Sequence, residues 1–175
     1  MTITNLGVTT ALMCALTLSG CSGSDDSHAD QDASPIPAES PTTTTELLSY
    51  TKGGSPGVEV QSSADAQELA GAPADFQEFV GTLADDLAQE STCEDGFVGV
   101  TVQVVRTDGF ARGGVNDCGG YAALWVKVDG TWQEVAGSQD VWECVVLEDH
   151  AIPSDVAGTE CYDPETNDVR TYEQA

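Results

Sequence analysis

Basic side chains are nearly absent: 5 Lys and Arg stand against 30 Asp and Glu, for a net charge of −25 over 175 residues. Such a field repels phosphate backbones, which argues against nucleic-acid binding, and it keeps the side chains off anionic lipid headgroups. The plain reading is a solubilising surface whose self-repulsion counter-ions screen; the sharper one is weak cation binding or a basic partner. Histidine is as scarce, with His28 and His150 alone. No Gly-x-Ser-x-Gly elbow, no Gly-x-x-x-x-Gly-Lys-Ser/Thr loop and no Cys-x-x-Cys pair occurs, which removes the usual signatures of a hydrolase, a nucleotide site and a zinc site. No apolar run approaches the ~20 residues that cross a bilayer.

What the chain does have is an address. Val8 to Leu18 is a short apolar stretch of signal-peptide length, followed by Leu18-Ser19-Gly20-Cys21. That tetrapeptide resembles the lipobox of bacterial lipoproteins, in which the cysteine thiol receives a diacylglyceryl group and further acyl chains such as palmitate. The resemblance implies lipidation at Cys21, a membrane partner engaged through the lipid, and a cell-membrane location on the extracytoplasmic side. Met1 to Gly7 contains no Lys or Arg, a departure from the positively charged start of such signals. The expected organisation is a signal peptide over 1–20, a tether rich in Ser, Thr, Pro and Asp over 21–49, and an extracytoplasmic domain over 50–175 with an ordered core at about 58–163. Residues 22–49 carry too little apolar surface to offset chain entropy.

Cys14 leaves with the signal and Cys21 is consumed by lipid, leaving Cys93, Cys118, Cys144 and Cys161. An even number in an oxidising compartment predicts two disulfides. Of the three pairings possible, Cys93–Cys118 and Cys144–Cys161 close the shortest loops around neighbouring elements and are expected. No cofactor and no metal is expected.

The rest of the pattern predicts an α+β fold: an antiparallel β-meander with one amphipathic helix packed on a face and a disulfide-stapled C-terminal segment closing an edge. Val58 to Val60 alternates as a short edge strand, and Ser62 or Ser63 caps a short helix to Ala70. Phe76, Phe79, Val80, Leu83 and Leu87 form one apolar face of a helix from Pro73 to about Gln89. Val98, Val100, Val102 and Val104 predict a half-buried strand, and Phe110 to Gly113 a short returning one. Tyr121 to Val128 predicts a strand with Ala122, Leu124, Val126 and Val128 inward, and Asp129-Gly130 a tight hairpin into Thr131 to Ala136. Asp140 is the expected cap of a short helix through Val141, Val145 and Leu147. Pro153 to Ala157 reads as one more helical turn, and Pro164 to Ala175 as a polar end that frays.

From Val58 to Asp163 the chain also resembles an uncharacterised family of actinobacterial envelope lipoproteins. The resemblance rests on Asp75-Phe76-Gln77-Glu78-Phe79-Val80, Cys118-Gly119-Gly120-Tyr121-Ala122-Ala123-Leu124-Trp125, Trp132-Gln133-Glu134, Trp142-Glu143-Cys144 and Pro153 with Cys161-Tyr162-Asp163. It implies an envelope location and carries over no catalytic residue.

Candidate chemistry is thin. Glu148-Asp149-His150 places carboxylates beside an imidazole, but adjacent residues point apart and no nucleophile is positioned with them. Asp163, Glu165 and Asn167 have the alternate spacing of a calcium loop, with Asp168 where the loop needs Gly and Gln174 where it needs Glu. Arg106 and Arg112 are expected to pair with carboxylates. Tyr121, Trp125, Trp132 and Trp142 are the candidate binding residues, since aromatic faces suit glycans and proteins; the bland alternative packs all three tryptophans under the C-terminal cover. The expected function is a non-catalytic, lipid-anchored envelope protein whose domain binds an envelope protein, a glycan or a small ligand. The alternative is an extracellular hydrolase using His150 or a carboxylate pair, or a protease inhibitor presenting the Gly113 to Gly120 loop.

Overall fold

The alternating valines become the second strand in from one edge of the sheet. In the computed structural model, which describes residues 44–175, six strands form one antiparallel sheet. They are β1 (Leu47–Ser49), β2 (Val58–Val60), β3 (Gly99–Arg106), β4 (Phe110–Asn116), β5 (Gly120–Val128) and β6 (Thr131–Ser138). β3 to β6 run as a meander, and β1 and β2 share the free side of β3, opposite Val104–Arg106 and Val100–Val102 respectively. The signal stretch, Cys21 and the tether as far as residue 43 lie outside the described residues. The end of the expected tether does not: Leu47–Ser49 is ladder-bonded to β3, so the sheet begins earlier than the polar composition implies.

Turn chemistry follows the sequence. Asp129 and Gly130 both take positive φ (51° and 85°), the pair of left-handed residues a two-residue hairpin requires. β4 runs to Asn116 rather than stopping at Gly113, because Gly113 and Gly114 continue the ladder opposite Ala123 and Ala122. Gly113 is there for contact: a Cβ on it would lie 2.1 Å from the Thr101 carbonyl oxygen and 2.8 Å from the Trp125 indole.

Helix α2 (Ala74–Glu90) starts after Pro73 and covers one face of the sheet. Phe76, Val80 and Ala84 are its buried row, with Phe79, Leu83 and Leu87 packed half-buried beside it. The short α1 (Ser63–Ala66) packs on α2. Beneath them lie Val100, Val102, Val105, Ala111, Trp125 and Trp132. The Phe76 ring meets Trp132 edge-on at 4.7 Å, and Phe79 meets Trp125 edge-on at 6.4 Å. Such pairs add about 0.5–1.5 kcal/mol each to the burial itself.

The other face is covered in part, which corrects one expectation. The C-terminal segment lies over that face rather than along an edge and buries Val104, Leu124 and Val126, while Thr101, Gln103 and Ala122 stay half-buried as the alternation implies. Its elements are α3 (Cys144–Asp149), α4 (Ser154–Ala157), and the hairpin of β7 (Glu160–Asp163) with β8 (Asp168–Thr171). α3 begins after Glu143, not Asp140. Trp142, Leu147, Ile152 and Val156 from this cover bury Val104, Leu124 and Val126. The chain end does not fray: Tyr172 is 4% exposed and belongs to the same cluster.

Two bulges make a sheet with cover on both faces compatible with this sequence. Pairing between β3 and β4 skips from Val102–Gly113 to Val104–Arg112, leaving Gln103 over. After it the side-chain parity reverses, so Val104 turns to the C-terminal cover and Val105 takes its place under α2. Pairing between β5 and β6 skips from Leu124–Ala136 to Trp125–Glu134, leaving Val135 over.

The two cystines are Cys93–Cys118 and Cys144–Cys161, the pairing expected. The first ties the segment after α2 to the β4–β5 turn, and the second ties α3 to β7. Two cations also join layers to one another, and a third ties two elements of the cover. Lys127 of β5 pairs with Asp75 of α2, Arg106 of β3 with Asp155 of α4, and Arg170 of β8 with Glu148 of α3. Arg112 breaks the expected pattern: it stands between Val104 and Leu124 on the covered face, its Nε has no partner among the described residues, and burial lowers its pKa.

Candidate functional site

The sequence's candidate aromatics do not assemble. Trp125, Trp132 and Trp142 are 0%, 5% and 7% exposed, the first two under α2 and the third in the C-terminal cover. Tyr121 alone is exposed; its ring lies against Gly137, where a Cβ would meet it at 2.7 Å, and its hydroxyl donates to Glu134 Oε2 at 3.3 Å. Burial pushes the Glu134 carboxyl above its ordinary value, against the pull of that hydrogen bond. Tyr121 also lines an open concavity of about 850 Å³ with Gly113, Ala122 and Ser138.

The other sequence candidates are also accounted for locally. His150 closes α3, and Glu148 nearby is turned to Arg170 at 2.6 Å. Asp163 Oδ1 accepts from the Glu165 and Thr166 amides, and Asn167, at φ 60°, accepts from the Tyr162 hydroxyl: the acidic stretch is a hairpin turn holding itself together. Cys93, Asp117 and Cys118 converge within 4.8 Å, but both sulfurs are spent on the cystine. The Gly113 to Gly120 loop reduces to Asp117–Gly119, because the residues on either side belong to β4 and β5. Three residues pinned by Cys118 give an inhibitor little to insert into a protease cleft.

What the fold does build is a groove of about 500 Å³ between the end of β6 and the C-terminal cover. Its near wall is Val135, Ala136, Gly137 and Ser138. The Val135 bulge forms this wall: with one residue extra, Val135 and Ala136 in succession both pack against the covered-face cluster. The turn after β6 forms the floor. Gln139 Nε2 donates to the Gly120 carbonyl at 2.8 Å, and the Asp140 and Val141 amides donate to Ser138 Oγ and Asp140 Oδ1. Trp142 is thereby sunk into the cover, its carbonyl accepting from the Tyr162 amide at 2.8 Å. The far wall is Val146 of α3 with Tyr162 and Val169 of the β7–β8 hairpin. Val169 is 54% exposed, and Val145 beside Val146 is 48% exposed.

The charges around this groove are of one sign. Asp140 and Glu143 line it and no Lys or Arg does. The nearest cation in sequence to Val169 is Arg170, already held between Glu148 and Asp163. Another groove, of about 390 Å³, runs between α2 and the β5–β6 hairpin over Phe79, Leu83 and Trp132, rimmed by Asp75, Glu78 and Asp86. It is the seam between two packed elements.

Sequence reasoning missed the groove because its walls come from residues 135–138 and 162–169, which no local pattern relates. The signal that was there is Ala136-Gly137-Ser138, a strand end of small side chains with no charge. Comparison with protein-family models, with curated proteins and with solved structures gives no match.

Proposed function

We propose that this chain is a lipid-anchored envelope protein of the kind its N-terminal motif suggests, held at the extracytoplasmic membrane surface through Cys21, and that its domain is a non-catalytic binding module. The two cystines support an oxidising extracytoplasmic compartment. Among the described residues, no helix is long and apolar enough to cross a membrane; attachment through acyl chains on Cys21 is the form of membrane association this reading requires. The observation that carries the binding role is the groove beside β6: a concave, largely apolar surface at a strand edge unpaired among the described residues, rimmed by carboxylates.

Two measurements in cells test the two halves of the reading. Cys21→Ser releases the protein from the membrane fraction and abolishes incorporation of labelled palmitate. A photo-crosslinking side chain at Val146 or Val169 gives a discrete adduct with an envelope component, while the same side chain at exposed Gln89 gives none. Unchanged membrane association of the Cys21→Ser protein contradicts the anchor. Identical adducts from the groove and from Gln89 contradict the binding site.

A further inference from the structure

Resting on that reading, we infer that the groove's occupant is an extended, base-bearing polypeptide segment, added to β6 as a further strand. Among the described residues, β6 is an eight-residue strand with one partner, whereas the strands on the opposite side of the sheet, β1 and β2, are three residues each. Long edges in native proteins are ordinarily blunted by Lys, Pro, an inward charge or a covering element, since their free amides and carbonyls template pairing. β6 bulges at Val135, which also blunts an edge, but the stretch beyond it from Ala136 to Ser138 carries none of these. Its side chains there are small, so a second backbone can approach to the ~4.8 Å of a sheet. The space beside the edge is already lined for what such a strand brings. Side chains of an added strand alternate, and one row turns toward Val146, Tyr162 and Val169.

Charge decides between occupants. A second copy of this chain would set −25 against −25. The chain's own first 43 residues hold no Lys or Arg to meet Asp140 and Glu143. A heterologous segment alternating apolar residues with Lys or Arg satisfies the backbone edge, the apolar walls and the acidic rim together, and electrostatic attraction steers it there.

The test uses the full-length protein and a fluorescein-labelled Lys-Val-Lys-Val-Lys-Val-Lys peptide, read by anisotropy. Two controls accompany it: the same peptide with Glu for Lys, and the same peptide N-methylated at alternate residues, in each register, which keeps charge and apolarity but cannot complete a ladder. The peptide binds; Glu for Lys, and N-methylation in one register, each weaken it at least about tenfold, the latter being the loss of the edge hydrogen bonds. Asp140→Asn with Glu143→Gln, both exposed and uninvolved in the core, weakens binding about tenfold and flattens its salt dependence. Equal binding of both N-methylated peptides overturns strand addition, and equal binding of the Glu peptide overturns the basic partner. Absence of binding by any peptide overturns the inference as a whole. If adducts at Val146 and Val169 still form in cells in that case, the groove remains a binding site and only its occupant has been misassigned.

Discussion

The Tyr172 hydroxyl donates to the Ile152 carbonyl oxygen at 2.6 Å, with the Leu147 carbonyl 3.1 Å away. This contact, made by the fourth residue from the end of the chain, ties the tail into the C-terminal cover. The Leu147 carbonyl has another partner in the Ile152 amide, at 2.9 Å, whereas the Ile152 carbonyl depends on the tyrosine. The far wall of the groove is built on this cover, so the tail belongs to the site as well as to the fold.

Tyr172→Phe keeps the ring packing and leaves the Ile152 carbonyl unpaired. The expected cost is about 1–2 kcal/mol, seen as a fall in Tm of about 3–8 °C by calorimetry. A Tm unchanged within error would mean that the hydroxyl is replaceable by water and the tail only rests on the cover.

The two cystines differ in access rather than in contribution to stability. Their separations of 25 and 17 residues give loop-closure terms of about 3–3.5 kcal/mol for both. Cys118 is exposed, while Cys144 and Cys161 are 2% and 0% exposed. Brief treatment of the native protein with dithiothreitol, then alkylation and mass spectrometry, should label Cys93 and Cys118 before the other pair. Simultaneous labelling would show that the C-terminal cover opens as readily as the surface turn.

Glu134 gives a pH prediction whose sign is fixed by burial. Its carboxyl is held above its ordinary value, so the folded state binds that proton more tightly than the unfolded chain does. Stability from this group is therefore present at low pH and falls as pH rises from the ordinary carboxylate range through the raised value. Glu134→Gln should raise Tm slightly at pH 7 and leave it unchanged below about pH 4, where the carboxyl is protonated in both states. A gain of equal size at both pH values would assign the effect to packing against Tyr121 and Gly137 instead.

The sequence reading succeeded where periodicity or turn chemistry is local. The helix of Phe76 and Val80 and the valine strand follow from periodicity, the Asp129-Gly130 hairpin from turn chemistry, and the two cystine pairs are the favoured one of three pairings, chosen for short loops between elements placed as neighbours. It failed where parity changes. Nothing in Val102-Gln103-Val104-Val105 announces a bulge, and one unpaired residue sends Val104 to the opposite core. Trp125 looks like a surface aromatic only if its face of the strand is taken as bare; α2 covers that face because Phe76 and Phe79 reach it. The polar tail looks frayed because one buried side chain, Tyr172, among exposed ones leaves no pattern. The groove was illegible for the same reason, as it exists only once the cover is docked beside β6.

The most direct test of the binding account is a backbone amide NMR titration of the full-length protein with the Lys-Val peptide. The account predicts the largest shift changes at Ala136, Gly137 and Ser138, slowed hydrogen exchange at the outward-facing amides of that stretch, and side-chain shifts at Val146 and Val169. Changes centred on Phe79 and Leu83 in the α2 seam, or on no contiguous surface, would contradict it.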